Sequence, residues 1–277
     1  MHRDKSKKFP SFIYGTAWKE EATAELVKRA VLAGFSGIDT ANQPRHYQEH
    51  LVGEALKELA GEDIARESLF IQTKFTPANG QDQRIPYDPY ADLTSQVKQS
   101  FARSLQNLQT DYVDSYLLHG PYTQPGLGKE DWEVWSAMEE LYRSGKVKCI
   151  GISNVNIGQL MLLSEKAEIK PMVVQNRCFA ALGWDREVRN FCNANHIIYE
   201  GFSLLTANPF VMQNPRVQQI ARELKKTPEQ VVFRFSTQAG ILPLTGTTNE
   251  QHMKEDLQVT DFTLNPDEVK LIESITE

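Results

Sequence analysis

Cysteine is scarce in this chain of 277 residues, and what there is stands apart: Cys149, Cys178 and Cys192 contain no C-x-x-C pair. Three scattered thiols give neither a disulfide framework nor a zinc knuckle, and no metal is expected. Cys149 lies in an apolar run and reads as a small core residue. Long apolar stretches are missing too. None approaches the length that spans a bilayer, and the apolar run after the basic residues 1–8 is far too short for a signal peptide. A reduced, cytoplasmic protein without a membrane partner is the expectation. Nor is there an excess of positive charge: 30 Lys and Arg face 36 Asp and Glu, a net charge of -6. Nucleic acid and anionic lipid both favour basic surfaces, so neither is expected as a partner. Finally, no G-x-G-x-x-G follows an early strand, which counts against an open dinucleotide-binding sheet.

What is present is one pattern, repeated. Short β-branched or aromatic runs at residues 11–14, 36–39, 69–74, 112–119, 147–153, 172–175, 197–202 and 241–244 alternate with segments of helical period. Val52, Ala55, Leu56 and Leu59 fall at i, i+3, i+4, i+7, as do Val217, Ile220, Ala221 and Leu224. Leu93, Val97, Phe101, Leu105 and Leu108 make a third stripe, and Trp132, Trp135, Met138 and Leu141 a fourth. Gly34 and Gly145 close helices, while Thr227-Pro228 and Asn265-Pro266 open them. Strands alternating with helices imply parallel pairing through right-handed crossovers. Eight such units without an internal linker predict a single (β/α)8 TIM barrel over residues 1–277.

The predicted strands share a feature at their ends. The second ends in Asp39, the third in Lys74, the fourth in His119, the fifth in Ser153-Asn154 and the sixth in Gln175. In a parallel barrel these side chains converge on the C-terminal rim, where barrel enzymes build their sites. Each alone has a bland reading as a cap or a solvated charge; an acid, an ammonium and an imidazole from successive strands together favour a functional cluster. A buried Lys beside a carboxylate stays charged and lowers the pKa of a neighbouring phenol, which then serves as a general acid. His119 is suited to polarising a carbonyl. The set lacks a reductant, which a cofactor has to supply.

At this point the motifs resemble the aldo-keto reductases. Gly34-Phe35-Ser36-Gly37-Ile38-Asp39-Thr40-Ala41 is similar to that family's G-(F/Y)-x-x-(I/F)-D-T-A signature, and Phe70-Ile71-Gln72-Thr73-Lys74 to its third-strand lysine motif. The run from Asp111 to His119 resembles its fourth-strand histidine motif, and Gly151-Ile152-Ser153-Asn154 its G-(V/I)-S-N. The resemblance implies an oxidoreductase that reduces a small aldehyde or ketone with NADP(H), or alternatively NAD(H), as a monomer or small homo-oligomer. It implies a catalytic set of Asp39, Tyr47, Lys74 and His119. Cofactor contacts would come from Thr16, Asp39, Ser153, Asn154 and Gln175, from Phe202, Ser203 and Leu205, and from Thr247, Thr248, His252 and Glu255. Phe202 stands where the family usually has a stacking Tyr, and keeps the π face. Trp18, Tyr47, His119 and Gly120 would border the substrate; Gly120 replaces a common Trp and implies a roomier pocket.

Two departures bear on these assignments. The family pattern D-T-A-x-x-Y-x-N-E-x-x-x-G is lengthened here by two residues. Counting forward from Asp39 reaches Pro44; counting back from Glu49 and Gly53 reaches His46. Tyr47 is taken as the acid, because loop backbone absorbs a shift more easily than the chemistry dispenses with its phenol; His46 is the alternative donor. In the cofactor-phosphate loop, Gly246 and His252 stand at the usual Lys and Arg positions, so Arg's fork on phosphate is missing. Thr247, Thr248, Asn249 and a helix N-terminus remain for that role. The chain ends soon after its last helix, so the loops after Lys74 and His119 are expected to set specificity. Two other functions compete with carbonyl reduction: a non-catalytic cofactor-binding regulator, suggested by the altered loop at His46 and Tyr47, and a Schiff-base enzyme using Lys74.

Overall fold

A computed structural model describes residues 9–276; the basic start at residues 1–8 lies outside them. Eight strands pair in parallel in chain order: β1 (Ile13–Gly15), β2 (Gly37–Asp39), β3 (Phe70–Phe75), β4 (Val113–Leu118), β5 (Val147–Ser153), β6 (Val173–Arg177), β7 (Ile198–Phe202) and β8 (Leu242–Thr245). β8 returns to β1 and closes the barrel, with Ile13 opposite Leu244. The helices are α1 (Thr23–Ala33), α2 (Glu49–Ala60), α3 (Leu93–Leu108), α4 (Lys129–Arg143), α5 (Ile157–Lys166) and α6 (Arg186–Ala194). After β7 come α7 (Pro209–Gln213), α8 (Pro215–Leu224) and α9 (Pro228–Gln238), and after β8 come α10 (Glu250–Leu257) and α11 (Pro266–Glu273). None of these helices is long and apolar enough to cross a membrane.

Local chemistry explains the boundaries. Gly34 ends α1 at φ 119°, a left-handed conformation that a side chain would strain. Thr227 caps α9, its hydroxyl accepting from the Gln230 amide while Gln230 returns a bond to Thr227. Asn265 and Glu268 form the same reciprocal cap on α11. The four apolar stripes lie on α2, α3, α4 and α8. Helices α5 and α6 carry no such long stripe and were not legible from periodicity.

The strands' alternation separates two layers. One set, including Ile38, Ile71, Tyr116, Ile150, Ile152 and Val174, packs outward in a large core shared with the helices. The other set faces the barrel interior, where Ile13, Phe70 and Leu244 form a small apolar cluster of their own. Two residues on from Phe70 comes Gln72, and two on from that Lys74, so the same inward face turns from apolar to polar. Cys149, expected in the core, is only half-buried, whereas Cys178 and Cys192 are buried and their thiols are pushed up to about 12 by desolvation. At that value neither is a nucleophile.

Candidate active site

The strand ends deliver the expected groups to one place. Lys74 is fully enclosed, and its Nζ donates to both carboxylate oxygens of Asp39 at 2.7 Å and to the Thr40 carbonyl at 2.9 Å. Burial works to lower the Lys74 pKa, but the Asp39 carboxylate overrides it and the ammonium is held above its usual value. β4 ends at Leu118, and His119 follows with its N–H on the Phe75 carbonyl. Its Nδ1 shares a 2.7 Å hydrogen bond with the Thr76 hydroxyl. Burial first, then the Lys74 charge and His46, lower the imidazole pKa to about 3, so His119 is neutral across the physiological range.

The lengthened loop places Tyr47 and His46 differently. Residues 43–47 make one tight turn in which the N–H groups of His46 and Tyr47 both donate to the Gln43 carbonyl at 3.0 Å. The turn sends the two side chains apart. Tyr47 points inward, its ring centre 5.3 Å from Lys74 Nζ and 6.0 Å from the His119 ring. His46 turns away, stacks on Trp18 at 4.0 Å and bonds through Nδ1 to the Gln43 amide oxygen. The expectation of a lowered phenol pKa is not met. Burial raises it, and although Lys74 pulls downward by charge and hydrogen bond, the balance lies above the usual phenol value.

Beneath these groups lies a buried network whose role the motifs did not reveal. The Nε2 atoms of Gln72 and Gln175 each donate both to Asp39 Oδ1 and to Glu200 Oε2, at 2.7–3.0 Å. Glu200 and Gln72 each sit two residues before a site residue, Phe202 and Lys74, on the same inward face; that period of two was the available signal. Desolvation and the neighbouring Asp39 raise the Glu200 pKa to about 7. Glu200 Oε1 and Gln72 Oε1 have no hydrogen-bond partner among the described residues. With its pKa raised, Glu200 holds its proton in the folded state to higher pH than in the unfolded chain, whose value is near 4.5. Stability contributed by the neutral acid is present below about pH 4.5 and is lost as pH rises towards 7. Glu200→Gln is expected to raise the unfolding temperature at about pH 8 and to change it little at about pH 4. An equal change at both, followed by thermal unfolding, would contradict a neutral Glu200.

Two cavities meet here. The larger, about 530 Å³, is lined by Asp39, Tyr47, His119, Ser153 and Gln175 at one end, by Phe202, Ser203 and Leu205 along its side, and by Thr247, His252 and Glu255 at the other end. The smaller, about 320 Å³, is lined by Trp18, His46, Tyr47, Thr76, His119, Gly120 and Asn154 among others. Tyr47 and His119 line both. Three of the expected cofactor residues do not line the larger cavity. Thr16 is buried and gives its hydroxyl to the Asp39 carbonyl, Asn154 donates to the His119 carbonyl and to Ser153 Oγ, and Thr248 is exposed. Trp18, Asn154 and Ser203 hold φ of 61°, 55° and 57°, backbone strain of the kind that gathers at functional sites. At Gly120 an added Cβ would make ordinary contacts, with Asn154 Cβ at 3.8 Å and the Ser153 carbonyl at 4.0 Å, so a small side chain fits there without a clash.

Residues 12–277 match the Aldo/keto reductase family. Glyoxal reductase of Bacillus subtilis (strain 168) is 33% identical over 259 residues, covering 93% of this chain and 84% of the relative. Prostaglandin F synthase 1 of Bos taurus is 29% identical over 298 residues, covering 96% and 88%. Among solved structures, the aldo-keto reductase MGS-M4 from a Medee basin deep-sea metagenome library superposes with a TM-score of 0.84 at 28% identity, covering 99% of this chain and 94% of that one. The chain belongs to the aldo/keto reductase family and is an oxidoreductase built on a single (β/α)8 barrel.

Proposed function

We propose that this protein reduces a small aldehyde or ketone to an alcohol, using a reduced nicotinamide cofactor in the larger cavity and Tyr47 as the proton donor in the smaller. The observation that carries this reading is that Tyr47 and His119 alone bring polar side chains to both cavities, so that groups bound on either side meet at them. The residues present fit a nicotinamide. Phe202 offers a π face, and Gln175, whose Nε2 is committed to Asp39 and Glu200, keeps its amide oxygen for the carboxamide. When bound, the reduced nicotinamide supplies the hydride.

The chain's own groups do the rest. The Thr76 hydroxyl occupies His119 Nδ1 and leaves Nε2, in a ring neutral at physiological pH, to donate to the substrate oxygen and polarise it. Tyr47 stays protonated because burial keeps its pKa up, so the donor form is always populated. As negative charge develops on the carbonyl oxygen, which becomes far more basic than a phenolate, the phenol gives up its proton. The Lys74 ammonium then stabilises the phenolate, and Asp39 keeps that ammonium charged. The smaller cavity is edged by Gln43, Asn79 and Asn154, which suits a small polar carbonyl compound. The name of the Bacillus subtilis relative, glyoxal reductase, points to the same substrate class.

The altered loop no longer favours a non-catalytic regulator, since it still presents Tyr47 to Lys74. A Schiff-base role fails on physical grounds, because Lys74 is enclosed and held as an ammonium. A panel of aldehydes, dicarbonyls and open-chain sugars tests the proposal: loss of reduced-nicotinamide absorbance with at least one of them is expected. No turnover on any, with cofactor demonstrably bound, would refute carbonyl reduction.

A further inference from the structure

The larger cavity has a second chemistry at the end remote from Tyr47, where the starts of α9 and α10 meet. Glu229, Thr247, His252, Glu255 and Asp256 line it there. Resting on the reading that this cavity holds a nicotinamide dinucleotide, we propose that it selects NAD(H) over NADP(H), with the Glu229 and Glu255 carboxylates accepting from the adenosine ribose hydroxyls. The two cofactors differ by one phosphate on that ribose, carrying about -1.5 to -2 charge at neutral pH. The sequence resemblance implies NADP(H) first; the local charge and hydrogen bonding reverse that order.

Three features argue against a phosphate here. The residues lining the cavity include no Lys and no Arg, and of the carboxylates at this end Glu255 accepts at one oxygen from the Gln251 side-chain amide at 2.9 Å. Lys19 approaches nearby and gives an N–H to the Gly246 carbonyl; burial lowers its pKa, and it is not among the lining residues. The second feature is the start of α10, whose free N–H groups are the usual substitute for a missing cation. Asn249 Oδ1 already accepts from the Gln251 and His252 amides at 2.8 and 3.3 Å, while Glu250 in the same turn is paired with Lys254 at 2.8 Å. A phosphate would have to displace the cap. The third is the like charge of Glu229 and Glu255 in the lining. Burial is the main cause that raises the pKa of Asp256 to about 7; a Thr245 hydrogen bond opposes it, and these two carboxylates add to it. A phosphate at this end would meet the same two charges. Carboxylates are, in contrast, good acceptors for a ribose diol, the arrangement by which acidic residues favour the unphosphorylated cofactor in doubly wound folds.

Binding measures this without turnover. The full chain is titrated separately with NADH and NADPH, following quenching of tryptophan emission. NADH is expected to bind tighter by about tenfold or more, equivalent to one decade in Kd. His252→Arg, which places a guanidinium fork in this end, is expected to tighten NADPH and narrow the ratio. Glu255→Gln is expected to weaken NADH while sparing NADPH. Equal or tighter binding of NADPH by the unmodified chain would overturn the inference and leave the reductase reading standing. Binding of neither would overturn both.

Discussion

Replacing Tyr47 with Phe is expected to cut turnover by about 10²–10⁴-fold, the range removed with a positioned general acid, while cofactor binding is unchanged. The substitution deletes one oxygen and keeps the ring, so the T-shaped contact with His119 and the packing near Lys74 survive. What goes is the proton. His46→Gln is the matched control. His46 lies against Trp18 at the rim of the smaller cavity, and its Nδ1 is tied to Gln43. Its loss is expected to raise KM for the carbonyl substrate and to leave kcat of the same order, the signature of lost ground-state binding. Steady-state kinetics on both variants, with cofactor affinity measured in parallel, separates them. Collapse of kcat in the His46 variant with activity retained in Tyr47→Phe would reverse the assignment.

The second large effect is on stability, and it is asymmetric. Removing one partner of a buried ion pair costs about 3–5 kcal/mol, because the other is left charged and unpaired. For Lys74 and Asp39 the two removals differ. Lys74→Met leaves Asp39 buried with no cation, beside a second carboxyl, Glu200, joined to it through Gln72 and Gln175. Asp39→Asn leaves Lys74 with that same Glu200, whose pKa of about 7 is partly held up by Asp39. Once Asp39 is neutral, Glu200 ionises more readily and replaces the lost counter-charge. Lys74→Met is therefore expected to be the more destabilising in urea unfolding at about pH 8, and the double variant more stable than Lys74→Met alone. Asp39→Asn proving as costly as Lys74→Met would show that Glu200 does not take over.

Much of this was legible in the chain. The barrel follows from eight short apolar runs separated by helical stripes, and the converging acid, ammonium and imidazole follow from what ends three of those runs. Strand ends moved by only one or two residues: β3 runs one past Lys74, β4 stops one before His119 and β6 continues to Arg177. What sequence did not disclose was physical context. Whether a loop of two extra residues presents Tyr47 or His46 depends on a turn closed on the Gln43 carbonyl, which no spacing rule contains. The direction of the Tyr47 shift depends on how burial weighs against the Lys74 charge, and burial wins. Glu200 appeared in the sequence only as a neighbour of Phe202, and its meaning lies in two glutamines reaching across the barrel from β3 and β6. The Asn249 side chain caps its own helix, a commitment that the spacing of the loop does not disclose.

A single-turnover experiment tests hydride transfer and the role of Tyr47 most directly. The chain loaded with NADH deuterated at the transferring position of the nicotinamide is mixed with an excess of a small dicarbonyl compound. The product alcohol is then examined for deuterium, in the unmodified chain and in Tyr47→Phe with equal cofactor bound. Deuterium on the former carbonyl carbon at a rapid rate in the first, and its near disappearance in the second, is the predicted result. Equal transfer in both would contradict the role given to Tyr47, and no transfer in either would contradict carbonyl reduction of this substrate class.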